Sequence, residues 1–347
     1  MRTLEQLSQA IGVSGAEDEA RTLIVSLIRE HVDEIRTDAL GNVLTMKKGT
    51  GRRKLRVMIA AHMDEVGLMV VGHDNDGMLR VAAVGGLDDR ILLGKRVLVG
   101  PDKLPGVIGA KPIHLLDDAE YKKVVKLDTM RVDIGATSKD QAKSKAPLGV
   151  RAAFDMPFVD LGPTVRGKAF DDRVGCAVLV ELLRGEPFRF DLYGVFSVQE
   201  EVGLRGARVA SHAIEPNAAF VLEGTIADDL PKEDDVSPTT QLGKGPALSL
   251  MDRATIYDRR LNALLTATAE ELGIPYQFKQ PGIGATDAGA IERTKAGVPT
   301  AAVSVPCRYI HSPAAILNKR DFRNAVRLMR EALNRLDRNT LERRQGT

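Results

Sequence analysis

The sequence predicts a layered α/β domain interrupted by a small all-β insertion. Three observations predict it. From Gly167 onward, apolar strand-like runs alternate with helix-like stretches, the pattern of α/β layers. From about Val70 to Pro163 the texture changes to short apolar runs separated by Gly, Pro and Asp turns (VGHDNDG, VAAVGG, VLVGPDKLPG, VIGAKP), which suits a small all-β unit. The first 70 residues hold too few strands to fold alone. Residues 1–70 and 165–347 are therefore expected to form one domain around an insertion at 71–164. A chain of 347 residues can bury cores of that size, and no repeat of about 20–50 residues is visible.

The elements follow in order. Ser14 and Glu17 have capping-box spacing ahead of Leu23, Ile24, Leu27 and Ile28, an apolar stripe of helical period. Gly41-Asn42 marks a hairpin turn, and Leu55–Ala61 is a buried strand that ends at His62. Lys139–Lys145 is a polar helix or exposed loop. A helix starting at Asp171 or Asp172 runs through Cys176, Val180 and Leu183. Strands are expected at Leu192–Val198, Ala218–Leu222 and Thr300–Val305. Helices are expected at Gly203–Ser211, within Asp252–Leu272, and from Lys319 to Leu336, before a charged tail.

Composition narrows the function classes. With 49 basic and 47 acidic residues, few aromatics and no Trp, the chain lacks the footprint of a nucleic-acid binder. No apolar run approaches the length of a membrane span, and the first residues show no signal-peptide core. Two cysteines, Cys176 and Cys307, form no disulfide framework. They read as small buried hydrophobes in a reducing, cytoplasmic compartment.

Acidic and imidazole side chains stand just past strand-like runs: His62 in AAHMDE, Glu200 and Glu201 in SVQEEVG, Glu223 in FVLEGT and His311 in RYIHSP. Asp171 in FDDRVG precedes a helix. Ligands in open α/β sheets gather beyond the carboxyl ends of strands, so one rim could present them all. Three carboxylates and two imidazoles suit a pair of divalent ions such as zinc, cobalt or manganese. The expected arrangement has Asp171 bridging, His62 with Glu201 on one ion, and Glu223 with His311 on the other. Glu200 is then a free base, and Asp64 accepts the second imidazole proton of His62. Leu87-Asp88-Asp89-Arg90 repeats the Asp-Asp-Arg string but lies in the turn-rich β stretch, so it reads as structural. Gly284–Ala290 (GATDAGA) suggests a pocket-lining loop.

These residues, with AHMDEVGLMV, VGGLDDRILLGKRV, GKAFDDRVGCAVLVELL, FSVQEEVGLRGA, ATDAGAI and GVPTAAVSVPCRYIHSP, resemble the dinuclear metallo-aminopeptidases of the glutamyl aminopeptidase and tetrahedral aminopeptidase (TET) group. The resemblance implies a mixed-sheet, three-layer catalytic domain of the zinc-peptidase type with an inserted small β-barrel used in assembly. It implies two divalent ions, zinc or cobalt, on His62, Asp171, Glu201, Glu223 and His311, with Glu200 as general base and Asp64 supporting His62. It also implies peptide substrates and homo-oligomers, commonly dodecamers. One departure is Glu223, where relatives often carry Asp, followed by the acidic stretch ADDLPKEDDVSP. The expected function is removal of N-terminal residues from peptides. A two-metal deacylase or carboxypeptidase, and a non-catalytic scaffold on a hydrolase fold, are the alternatives.

Overall fold

Two interlocked β structures organise the chain, which the computed structural model describes over residues 1–52, 55–230 and 238–342. Strands β1 (Glu34–Thr37) and β2 (Val43–Lys47) form the expected hairpin. Its turn is closed by Asp38, whose Oδ1 accepts from the backbone N–H of Leu40, Gly41 and Asn42. Strand β3 (Arg56–His62) then crosses the middle of the molecule.

Six strands follow as a closed barrel: β4 (Gly67–His73), β5 (Leu79–Val84), β6 (Arg96–Val99), β7 (Leu104–Gly109), β8 (Arg131–Asp133) and β9 (Arg151–Phe154). Closure leaves no free sheet edge, and the barrel packs its own core around Leu68, Val81, Val97, Ile108 and Val132. The boundaries differ from the sequence expectation of 71–164. Gly67–Val70 already belongs to the barrel, because β4 pairs from Gly67 onward with β5. Strands β10 (Val159–Asp160) and β11 (Thr164–Gly167) leave it and pair with each other and, through β11, with the large sheet.

The chain continues with β12 (Asp191–Ser197), β13 (Ala218–Ile226), β14 (Ala247–Leu248), β15 (Gln277–Phe278), β16 (Thr300–Arg308) and β17 (Ala315–Asn318). Among the described residues the large sheet has 11 strands in the order β1-β2-β12-β3-β13-β16-β17-β11-β10, with β14 also paired to β16 and β15 to β14. Its centre, β12-β3-β13-β16, is parallel. Alternation along these strands feeds two cores. Val57, Ile59 and Ala61 join Phe220 and Leu222 beneath the helices Phe170–Arg184, Arg259–Glu271 and Lys319–Arg335. Met58 and Ala60 join Ala219 and Val221 beneath Arg205–Ile214 and Ala288–Ile291. Helices on both faces make three layers. No helix among the described residues is long and apolar enough to cross a membrane.

Two local details are set by side-chain partners. Ser14 caps nothing: its hydroxyl donates to Asp64 Oδ2 at 2.6 Å, and Glu17 accepts from Gly15 instead. The helix expected within Asp252–Leu272 starts only at Arg259, because Asp258 accepts from the N–H of Arg260 and Leu261; Asp252 closes a separate turn at Ala254 and Thr255. The acidic stretch after Glu223 lies partly outside the described residues, which resume at Pro238.

A buried ion cluster pins the N-terminal segment to the loop after β3. Lys168 Nζ meets both Glu65 oxygens at 2.7 and 2.8 Å, and Arg173 Nη2 lies 3.5 Å from the same carboxylate. Glu65 also accepts from the N–H of Gly12, and Arg173 donates to the carbonyls of Met63 and Ala10. Replacing Glu65 by alanine strands two buried cations, so we expect a loss of about 3–5 kcal/mol. Urea unfolding of the purified variant checks this. A change below about 1 kcal/mol would mean the cluster contributes little beyond packing.

Candidate metal centre

Register carries the candidate side chains to one level. Ser197 of β12 is opposite His62 of β3. Val221 of β13 is opposite Ala60, which puts Glu223, two residues further on, level with His62 and on the same face of the sheet. Glu200 and Glu201 follow β12, and His311 follows β16. Asp171 opens the helix packed under β3 and β13. Several neighbouring residues hold left-handed backbone without being glycine: Ala169 (φ 53), Gln199 (φ 55), Leu204 (φ 57), Tyr309 (φ 61) and His311 (φ 55). Such conformations cost about 1–3 kcal/mol each and persist where surrounding structure fixes them.

All five expected ligands converge. Asp171 stands in the middle, with Oδ1 3.3 Å from His62 Nε2 and Oδ2 3.3 Å from His311 Nε2. Glu223 Oε2 is 3.6 Å from His62 Nε2, and Glu201 Oε2 is 3.3 Å from His311 Nε2. These distances divide the ligands differently from the sequence expectation. Glu223 sits with His62, and Glu201 sits with His311. The reason is register: β3 and β13 are neighbours in the sheet, whereas Glu201 and His311 lie on loops that turn toward each other over Asp171.

Asp64 is fully buried and acts as a hub. His62 Nδ1 faces the Asp64 backbone carbonyl at 3.2 Å and its Oδ1 at 3.4 Å, and Oδ1 accepts from Glu200 N at 3.0 Å. Its Oδ2 accepts from Ser14 and from Glu201 N. One carboxylate thus orients the imidazole and the strand end bearing Glu200 and Glu201. His311 Nδ1 faces the carbonyl of Gly86, in the segment after β5, at 2.9 Å. His73 packs against the Ala146 carbonyl, and Asp88 pairs with Arg90 as a local cap. Both serve structure.

The donor set fits divalent cations on an independent test. Glu201 Oε1 and Glu223 Oε1 are buried without a partner, and unpartnered buried carboxylate oxygens are costly. His62, Asp171 and Glu201 offer atoms within 4.8 Å of one another, as do His62, Asp172 and Glu223.

Sequence reasoning gave no role to two buried acids here. Asp172 accepts from the N–H of His62 and Gly175, locking the end of β3 onto the helix. Asp287, in the GATDAGA motif, accepts from Ser197 Oγ, and its Oδ1 has no partner. A single acid within a motif of small residues, between Gly284 and Gly289, was the available signal. The lining of a cavity of about 600 Å³ includes the ligands, Glu200, Lys279 and residues 284–286.

With no cation bound, this cluster holds protons. Burial, then the Asp171 charge, pushes Glu201 from 4.5 to about 7. Burial opposes the charging of His311, but its hydrogen bond to Asp171 and the acidic charges around it prevail and raise it from 6.5 to about 9. Burial likewise pushes Glu200 and Glu223 up. Each of these groups is more protonated when folded than when unfolded. The Glu201 cost begins above pH 4.5 and is complete above about 7; the His311 contribution is complete below 6.5 and is lost as pH rises through about 9. Stability of the chelated protein therefore falls as pH rises across that window. Added divalent metal, which displaces the protons, removes or reverses the trend. Thermal unfolding in EDTA and in metal buffer reads both; a midpoint in EDTA that climbs with pH contradicts the assignment.

The chain is similar to known proteins over nearly its whole length. Residues 41–328 match the model of the M42 glutamyl aminopeptidase family. A protein of Acetivibrio thermocellus named as an aminopeptidase is 39% identical, over 95% of this chain and 97% of its own length. The crystal structure of a TET aminopeptidase from a marine sediment Thaumarchaeota archaeon superposes with a TM-score of 0.93 at 38% identity, covering 98% of both chains. A Pyrococcus horikoshii TET peptidase that can assemble into a tetrahedron or a large octahedral shell superposes with a TM-score of 0.85 at 33% identity, covering 96% of this chain and 99% of its own.

Proposed function

The chain belongs to the M42 glutamyl aminopeptidase family, and on that premise we propose that His62, Asp171, Glu201, Glu223 and His311 hold two divalent cations in an aminopeptidase active centre. Zinc or cobalt suits the mixed imidazole and carboxylate set. Asp171 carries the reading, because its two oxygens face two different imidazoles, as a bridging ligand requires. His62 and Glu223 complete one site, and Glu201 and His311 the other. When bound, the cations supply Lewis acidity that polarises the scissile carbonyl and activates water near neutral pH.

The protein's own groups do the rest. Glu200 is 9% exposed and lines the cavity beside the ligands. Its Oε2 stays 3.9 Å from His62 Nε2, further than the oxygens of Asp171 and Glu223. It takes the proton of the attacking water and returns it to the leaving amine. Asp64 keeps the His62 ring oriented and fixes Glu200 through its backbone N–H. The carboxylates at the cavity floor favour a free α-ammonium, which suits removal of residues from the N-terminus.

The insertion, expected at 71–164 between catalytic parts at 1–70 and 165–347 and here forming a barrel that begins at Gly67, serves assembly in this reading. The connection between β7 and β8 exposes Ile113, Leu115, Tyr121 and Val124 at 58%, 66%, 66% and 49%. Such apolar exposure marks contact surfaces, here between copies of this chain in a homo-oligomer such as a dodecamer, in the cytoplasm. The activity is tested with metal-loaded protein on aminoacyl amides and N-acyl amino acids. Cleavage of the aminoacyl amides is expected; cleavage of only the N-acyl compounds replaces the aminopeptidase with a deacylase.

A further inference from the structure

We propose that a basic cleft between the helices Arg205–Ile214 and Ala288–Ile291 binds the C-terminal carboxylate of short peptide substrates. The proposal rests on the aminopeptidase reading and adds a second anchoring point to it. The cleft has a volume of about 690 Å³, and it shares Gly203 and Leu204 with the lining of the catalytic cavity. Gly203 carries no side chain, and a Cβ there would meet nothing within 4 Å, which leaves the shared wall low. Leu204 stands at the N-cap of Arg205–Ile214. Arg208 and His212 follow at four-residue spacing, hence on one face of the helix. At 1.5 Å per residue they lie about 6 and 12 Å further along its axis. Both are exposed and line the cleft. Arg293 and Lys295, just past Ala288–Ile291, close the other side.

Charge is distributed unevenly here. Arg208, His212, Arg293 and Lys295 line the cleft, and no carboxylate among the described residues does. The acids nearby are already engaged: Glu215 meets Lys295 at 2.9 Å and Arg56 at 3.9 Å, and Glu292 lies 3.5 Å from Arg293. Arg208 and His212 have no carboxylate within 4.0 Å among the described residues. A concave surface lined by one sign of charge concentrates ligands of the other. An extended peptide advances about 3.3–3.6 Å per residue, so a terminus about two to four residues past the cavity edge reaches Arg208 or His212. The acidic metal centre favours the ammonium end of such a peptide, and the cleft favours its carboxylate end. A dipeptide is too short to span the two, and a long peptide carries its terminus beyond both.

The test measures kcat/KM for a series of peptides, one Leu followed by increasing numbers of Ala, each as the free acid and as the C-terminal amide. Metal-loaded wild type should cleave acids of about four to six residues 3–10-fold faster than their amides, the scale of one or two exposed ion pairs. The dipeptide acid should show no such advantage. The double variant Arg208→Gln/His212→Gln should bring the acid:amide ratio close to one, and Arg208→Glu should invert it. Each ratio comes from one preparation, so partial misfolding cancels. A wild-type ratio near one at every length, or a ratio unchanged in the double variant, overturns the cleft assignment. An amide that regains the full advantage from an inserted glutamate overturns the terminus as the group recognised. In these cases cleavage of Leu-p-nitroanilide leaves the aminopeptidase reading standing. Failure to cleave that reporter and every peptide overturns both.

Discussion

Replacing Glu200 by glutamine is expected to lower kcat by about 10²–10⁴-fold without releasing metal. Glutamine keeps the shape of the side chain but cannot accept a proton. The Glu200 N–H still reaches Asp64 Oδ1 at 3.0 Å, so the neighbouring ligand Glu201 keeps its position. Burial and the surrounding carboxylates push the Glu200 pKa upward, the direction that lets one carboxyl accept and later give back a proton near neutral pH. Metal analysis alongside kcat separates the two possible losses. Near wild-type kcat with metal bound rejects Glu200 as the base.

Asp171→Ala should cost both ions. Its oxygens stand 3.3 Å from two imidazoles, and no other side chain in the cluster touches both. Without it, each ion would keep only one imidazole and one carboxylate of the set, too few to hold it. Metal analysis after dialysis should find neither ion retained, with hydrolysis abolished. Paired substitutions test how the ligands divide. Losing His62 and Glu223 together should leave the second ion, and losing Glu201 and His311 together should leave the first. Losing His62 and Glu201 together should strip both. If instead the His62 and Glu201 pair leaves one ion intact, the division seen in the distances is wrong.

Much of the centre was legible because its ligands end apolar strands, and a buried strand can be read from a run such as VMIAAH without knowing its neighbours. The pairing of ligands was not legible. It depends on β3 lying between β12 and β13, an order set by long-range sheet assembly rather than by local pattern. The start of the barrel slipped for a related reason: Gly67–Val70 is an apolar run close behind β3, and only its pairing with β5 assigns it to the barrel. Ser14 and Glu17 had the spacing of a cap, but a buried carboxylate at Asp64 outcompeted the helix end for the serine hydroxyl. Arg208 and His212 carried no sequence signal at all, since basic residues on a helix look like any solvated face until the walls around them are known.

The chain order of the four central strands has a kinetic corollary. His62 and His311 stand 249 positions apart in a chain of 347 residues, with the barrel threaded between β3 and β12. Contacts between such remote segments form late, after loop closure has been overcome. Nascent or clipped chains therefore present at most fragments of the ligand set. Cation capture becomes a checkpoint of completed folding, and a half-made protease stays inert until its last strand has docked.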